Sequence, residues 1–117
     1  MHLKHSLAAL AACGLWAVWP AWAGAQQPAD GLALAQRKAC MACHQVDSKR
    51  VGPPLRSVAE RYAGQGDAMV QYLAGKIRSG GRGVWGAVPM PAQSQVSEDE
   101  ARQLAQWILS LPPGKPQ

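Results

Sequence analysis

Five consecutive residues, Cys40-Met41-Ala42-Cys43-His44, limit what this chain can fold into more than any other stretch of it. Two cysteines spaced by two residues and followed at once by a histidine form the attachment pattern of a covalently bound haem. Each thiolate adds to one vinyl group of the ring, giving two thioether bonds. The two intervening residues set the sulfurs far enough apart to reach both vinyls, and the histidine directly after brings its imidazole beneath the iron. Other readings of the same residues are weaker. A disulfide between Cys40 and Cys43 would close a very small loop and stabilise little. A thioredoxin-like redox pair belongs in a βαβ setting that this sequence lacks. A zinc site needs four ligands, and beyond the N-terminal segment only Cys40, Cys43 and His44 offer sulfur or imidazole.

That N-terminal segment is set aside before the fold is considered. Met1 to His5 carries Lys4, and Ser6 to Ala23 is an apolar run broken only by Gly14 and Pro20, the pattern of a secretory signal peptide. Cleavage fits after Ala23 (Ala21-Trp22-Ala23) or after Ala25 (Ala23-Gly24-Ala25). The polar Gln26-Gln27-Pro28 favours the second, giving a leader over 1–25 and one domain over 26–117. Two alternatives stand beside it. The run approaches the ~18 residues at which a membrane anchor becomes credible, although Pro20 and the small-residue sites favour cleavage. Leu10-Ala11-Ala12-Cys13 resembles a lipoprotein box, but the apolar stretch before Cys13 is very short and the chain after it stays apolar.

Of 117 residues, 92 remain once the leader is removed, a single small domain whose core needs support from something other than side chains. Three of the five tryptophans leave with the leader, and there is no phenylalanine. Lys4 leaves too, so eleven Lys and Arg face seven acids and the remaining net charge is +4. A modestly basic balance suits nucleic acid, an anionic membrane or an acidic protein. Export argues against nucleic acid, and cleavage argues against stable membrane insertion. In an oxidising compartment Cys40 and Cys43 would not persist as free thiols, which again calls for a cofactor.

The remainder reads as short helices punctuated by Gly and Pro, without alternating β-branched runs, so the fold class is all-α. A first helix is expected from Asp30, as N-cap, to Cys40, with Leu32, Ala35 and Ala39 on its buried face. Val51-Gly52-Pro53-Pro54 must be a loop. A short helix follows from Leu55 to about Tyr62, stopped by Gly64 and Gly66. Asp67 is expected to cap a third helix with Val70, Leu73 and Ile77 inward, ending at Gly80-Gly81. Arg82 to Gln95 is irregular and rich in Gly and Pro, and so long a loop in so small a domain usually has a task. Ser97 and Glu100 form a capping box that opens the last helix, with Ala101, Leu104, Ala105, Ile108 and Leu111 as its buried stripe and Pro112 as its stop.

The second iron ligand follows by elimination. His2 and His5 belong to the leader and His44 is used, so the donors left are the thioethers of Met41, Met69 and Met90. Met41 lies between the attachment points, too close in sequence to reach the far face of the ring. Met69 sits in the first turn of a helix, where packing is the simpler role. Met90 lies between Pro89 and Pro91, which stiffen the loop so that one side chain is held in one place. His44 and Met90 are therefore the expected metal ligands. A soft thioether favours Fe(II) and raises the reduction potential. It also leaves no open coordination position, which favours electron transfer over oxygen or peroxide chemistry.

With these residues in view, the chain resembles the class I cytochromes c, in particular the short bacterial cytochrome c five-fifty-one type, over essentially all of its length after the leader. The resemblance rests on Cys40-Met41-Ala42-Cys43-His44, Val51-Gly52-Pro53-Pro54, Gly83-Val84-Trp85-Gly86, Val88-Pro89-Met90-Pro91 and the closing helix Val96 to Leu109. It implies that about four helices wrap around one haem, that the first and last helices pack together, that the carbonyl of Pro53 accepts a hydrogen bond from the ring N–H of His44, and that Trp85 offers its indole N–H to a haem propionate. Lys76 falls where such proteins often have an arginine near the propionates, and an ammonium cannot make the same planar two-point contact. The expected activity is that of a non-enzymatic, monomeric periplasmic carrier with one haem c. It would pass single electrons between partners with acidic patches, such as a cytochrome bc1-type donor and a terminal oxidase or reductase. Lys49, Arg50, Arg56, Arg78 and Arg82 are candidates for a basic rim. Two other classes remain: a haem subunit permanently bound to a periplasmic dehydrogenase or sulfur-oxidising complex, and a haem-based ligand sensor, which the Pro89-Met90-Pro91 match disfavours.

Overall fold

The computed structural model describes residues 28–114. The expected leader, both of its cleavage positions and Cys13 lie outside the described residues. Those described form four α-helices in order: α1 (Pro28–Arg37), α2 (Leu55–Arg61), α3 (Asp67–Ser79) and α4 (Glu98–Leu109), with one 3-10 turn at Cys40–Ala42. No strand occurs among them. The one sheet-like contact is an isolated antiparallel bridge between Gly81 and Met90.

The last helix organises the rest. Ser97 accepts a hydrogen bond from the Glu100 amide at 3.2 Å while the Glu100 carboxylate accepts from the Ser97 amide at 2.9 Å, so the capping box is complete. Leu104 and Val96 are fully enclosed, and Ala101, Ala105, Trp107 and Ile108 are buried with them. Helices α1, α2 and α3 each pack against α4 and not against one another. At the α1 crossing the two backbones approach closely: a Cβ on Gly31 would fall 2.0 Å from Cγ of Trp107. Gly31 is the residue that allows α1 to lie on that indole.

The first helix departs from expectation at both ends. It begins at Pro28 rather than after an Asp30 cap, because proline's fixed φ suits the first helical position, and Asp30 sits inside the first turn. It stops at Arg37 rather than running into Cys40, because Ala39 adopts a left-handed conformation (φ 60°) that turns the chain before the cysteine motif. Its buried face is accordingly Leu34 and Ala35, while Leu32 and Ala39 are exposed. In α3, Gly66 is the N-cap and Asp67 the first helical residue. Helix α3 buries Leu73, Ala74 and Ile77, with Val70 partly covered. The stripe expected on α4 is buried from Ala101 to Ile108, with Leu111 partly exposed. Trp107, adjacent to that stripe, is also core. Its neighbour Gly31 made room for it, which periodicity alone does not reveal.

Candidate functional site

An open cleft, about 1170 Å³ with the open solvent at its mouth included, is formed by the 3-10 turn, the loop after it, α2, α3, the long loop and α4. Cys40, Cys43, His44, Pro53, Lys76, Trp85 and Met90 all line it. The seven residues expected from sequence to handle the cofactor are thus brought to one place. Neither Met41 nor Met69 lines the cleft: Met41 packs against the core and Met69 lies partly covered in the first turn of α3.

The cysteine end is built by short-range hydrogen bonds. The amide of His44 donates to the Cys40 carbonyl at 3.0 Å, and that of Gly52 donates to the Cys43 carbonyl at 2.8 Å, folding the 45–51 segment back onto the motif. Burial pushes the Cys40 thiol up, against a smaller downward pull from a backbone hydrogen bond. His44 Nδ1 donates to the carbonyl oxygen of Pro53 at 2.9 Å. A carbonyl can only accept, so the ring proton is on Nδ1 and the lone pair on Nε2 is left for a metal. Gly52 lies against the same ring. A Cβ there would come within 2.5 Å of Cε1 and 2.9 Å of Nδ1, so only glycine lets the loop pass the imidazole this closely.

Met90 is held by its backbone. Gly81 N–H donates to the Met90 carbonyl at 3.0 Å, and the Met90 amide returns a bond of 2.8 Å to Gly81. Gly80, at φ 74°, brings the end of α3 so near that its Cβ would meet the Met90 carbonyl oxygen at 2.4 Å. The Gly80-Gly81 pair read in the sequence as a helix stop is therefore also the seat of the methionine loop. That loop is further tied to α3 by the Gln93 amide, which donates to the Ile77 carbonyl at 3.1 Å.

Between these two ends the lining is aliphatic, with Leu55, Val58, Leu73, Ile77, Leu104 and Ile108. Cationic groups enter from α3 and the loop. Lys76 and Arg82 both line the cleft, and the Lys76 ammonium sits 5.4 Å from the centre of the Tyr72 ring. Tyr72 in turn meets Tyr62 at 5.6 Å between centroids with the rings tilted by 59°. Burial, followed by the hydrogen bond and charge of Tyr72, raises the Tyr62 phenol above its usual range. At the lip Val51 and Val88 remain 53% and 64% exposed.

Of the five cations expected to rim the site, Arg82 alone lines the cleft. Arg56 does not serve there: its guanidinium is engaged by Asp47 and by the Pro112 carbonyl, tying α2 to the segment after α4. Lys49, Arg50 and Arg78 are exposed. Reasoning from sequence missed Gly52 and Gly80 as site-shaping residues. Gly52 carried a signal, since a glycine between a valine and two prolines marks a loop with a close approach.

The donor set fits a covalently attached haem. Two sulfurs, an imidazole with a free Nε2 and a thioether face one cleft with an apolar lining and cationic groups beside it, as a flat apolar ring with anionic carboxylates requires. Comparisons with known proteins point the same way. The family model described as Cytochrome c matches residues 28–112. The chain is 62% identical over 78 residues to cytochrome c-552 of Hydrogenobacter thermophilus, covering 67% of this chain and 78% of that protein. It is 43% identical over 106 residues to cytochrome c-551 of Pseudomonas aeruginosa, covering 91% and 95%. The crystal structure of wild type Nitrosomonas europaea cytochrome c552 superposes with a TM-score of 0.67 at 49% identity, covering 69% of this chain and 99% of that one.

Proposed function

This chain belongs to the cytochrome c family, as a small class I c-type cytochrome, and we propose that it is a periplasmic shuttle passing single electrons between respiratory partners through a His44/Met90-ligated haem. Members of this family bind haem c covalently, and the chain is accordingly an electron carrier with one such group rather than an enzyme. When bound, the haem supplies an iron that alternates between Fe(III) and Fe(II). In this reading Cys40 and Cys43 provide the thioether bonds, and His44 offers Nε2 to the metal. Pro53 keeps the proton on Nδ1 through the 2.9 Å hydrogen bond, which fixes the ring plane and its donor strength. Trp85 and Lys76 serve the propionates, the first as an N–H donor and the second as a point charge. The aliphatic lining keeps water from the ring.

The observation that carries the proposal is that Met90 shares the cleft with Cys40, Cys43 and His44 while its backbone is pinned to Gly81 from both sides. A thioether held in this way would serve as the second ligand of a bound haem iron, which suits electron transfer and disfavours ligand sensing. Residues 1–25 act here as a cleaved export leader. No helix of the described residues is long and apolar enough to cross a membrane. Partners are redox proteins with acidic patches, approaching the lip formed by Val51 and Val88 near Arg82.

The test is spectroscopic. The oxidised protein should show the weak near-infrared band of methionine bound to ferric haem, Met90→Ala should lose it, and the reduced Met90→Ala variant should bind carbon monoxide rapidly. Absence of the band from the wild-type protein would sink the assignment.

A further inference from the structure

Arg61 closes α2, where its charge faces the negative end of the helix. It takes part in none of the ion pairs among the described residues, which join Lys38 to Glu100, Arg56 to Asp47 and Arg102 to Glu98 and Asp99. Its guanidinium stands instead 4.8 Å from the centre of the Trp85 ring and 5.9 Å from that of Tyr62. One of its terminal nitrogens also donates to the Val84 carbonyl at 3.4 Å, so the same side chain grips both the indole and the backbone just before it.

Trp85 is 38% exposed, and the loop that carries it has glycines at positive φ on either side, Gly83 at 82° and Gly86 at 117°. An added Cβ at either glycine would meet nothing within 4 Å, so nothing packs against the turn at those two points. A flat, delocalised cation stacked on an indole is a directional contact, because it must lie over the ring face. The Arg61 stack therefore restrains the indole that this glycine-flanked loop carries.

We propose that Arg61 is a positioning residue: by stacking on Trp85 and holding the Val84 carbonyl, it fixes the indole so that its N–H is presented to a carboxylate of the bound haem. This rests on the reading of Trp85 as that carboxylate's donor. Arg61 acts through Trp85, and its charge adds a second, separable contribution.

The two contributions can be told apart in the holoprotein. Hydrogen exchange of the Trp85 indole N–H is followed by NMR in the reduced state, and the midpoint potential is measured for wild type, Arg61→Gln, Trp85→Phe and the double variant. An exposed cation–π contact corresponds to roughly two- to fivefold in population, so Arg61→Gln should speed indole exchange by about that factor. Arg61→Lys keeps the charge without the flat fork, should fall between the two, and serves if Arg61→Gln does not load haem. Trp85→Phe should lower the potential, because the carboxylate loses the N–H that balances its charge, and it should do so by a smaller step in the Arg61→Gln background. Unchanged exchange in the Arg61 variants, or strictly additive potentials, would overturn the role of Arg61 alone. A Trp85→Phe potential equal to wild type would instead remove Trp85 as the donor, and the role of Arg61 with it.

Discussion

Two small residues set the geometry on either side of the cysteine motif. Gly52 passes within contact of the His44 ring, where a methyl group would lie 2.5 Å from Cε1. Gly52→Ala must therefore push the imidazole off the Pro53 carbonyl or move the loop. Forced overpacking of this kind typically costs about 1–3 kcal/mol. The expected result is a lower unfolding midpoint together with an altered haem spectrum, and a variant with wild-type values for both would show that the loop yields freely. Ala39 presents the opposite case. Its left-handed backbone costs a residue with a Cβ roughly 1–2 kcal/mol, part of which the greater freedom of glycine in the unfolded chain would cancel. Ala39→Gly should raise stability by up to ~1 kcal/mol, read from denaturant midpoints, without shifting the haem absorption bands.

At the scale of elements, the junction between α1 and α4 carries a pH dependence. Lys38 donates to Glu100 at 2.9 Å and to the Gln95 carbonyl at 3.1 Å, so one ammonium joins the end of α1 to the cap of α4. Its hydrogen bond, with that of the Ser97 amide, holds the Glu100 carboxyl below the usual carboxylate range. A lowered folded-state pKa means that the contribution is present above the unfolded value and lost as pH falls through the folded one. The wild-type protein should therefore exceed Glu100→Gln in stability at neutral pH, and the gap should close in acid. A gap that persists at the lowest pH would locate the effect in the cap rather than in the charge.

The helices show where sequence suffices and where it does not. The start and most of the buried stripe of α4 were legible because Ser97 and Glu100 signal its start and its apolar residues recur at helical spacing, whereas Trp107 was not. Helix α1 was misjudged at both ends because its stop depends on Ala39, a residue with no preference for the left-handed region. At the site, Cys40, Cys43, His44 and Met90 could be named from type and spacing. Gly80, as the seat of the Met90 carbonyl, could not, because that contact pairs α3 with a loop ten residues on. Arg61 gave no signal either, since a cation at a helix end is ordinary until an indole is found above it.

Across the whole molecule, the charge surplus is modest and unevenly used. Arg56 is engaged by Asp47 and the Pro112 carbonyl, whereas Arg82 stands at the cleft. Association with an acidic redox partner should slow as ionic strength rises, because exposed charges are screened beyond ~8–10 Å at physiological salt. Arg82→Glu should slow it several-fold at low salt, with Arg56→Glu closer to wild type. Stopped-flow electron transfer at two salt concentrations measures both, and equal effects of the two variants would defeat the placement of the docking lip.

That α1, α2 and α3 each touch α4 and not one another has a consequence for the order of events in the life of the chain. The helix on which the others close is the last of the four to be synthesised. Until it arrives, the cysteines near the front of the domain belong to an open polypeptide. In such an open chain both thiols would be accessible to haem before the core closes around them.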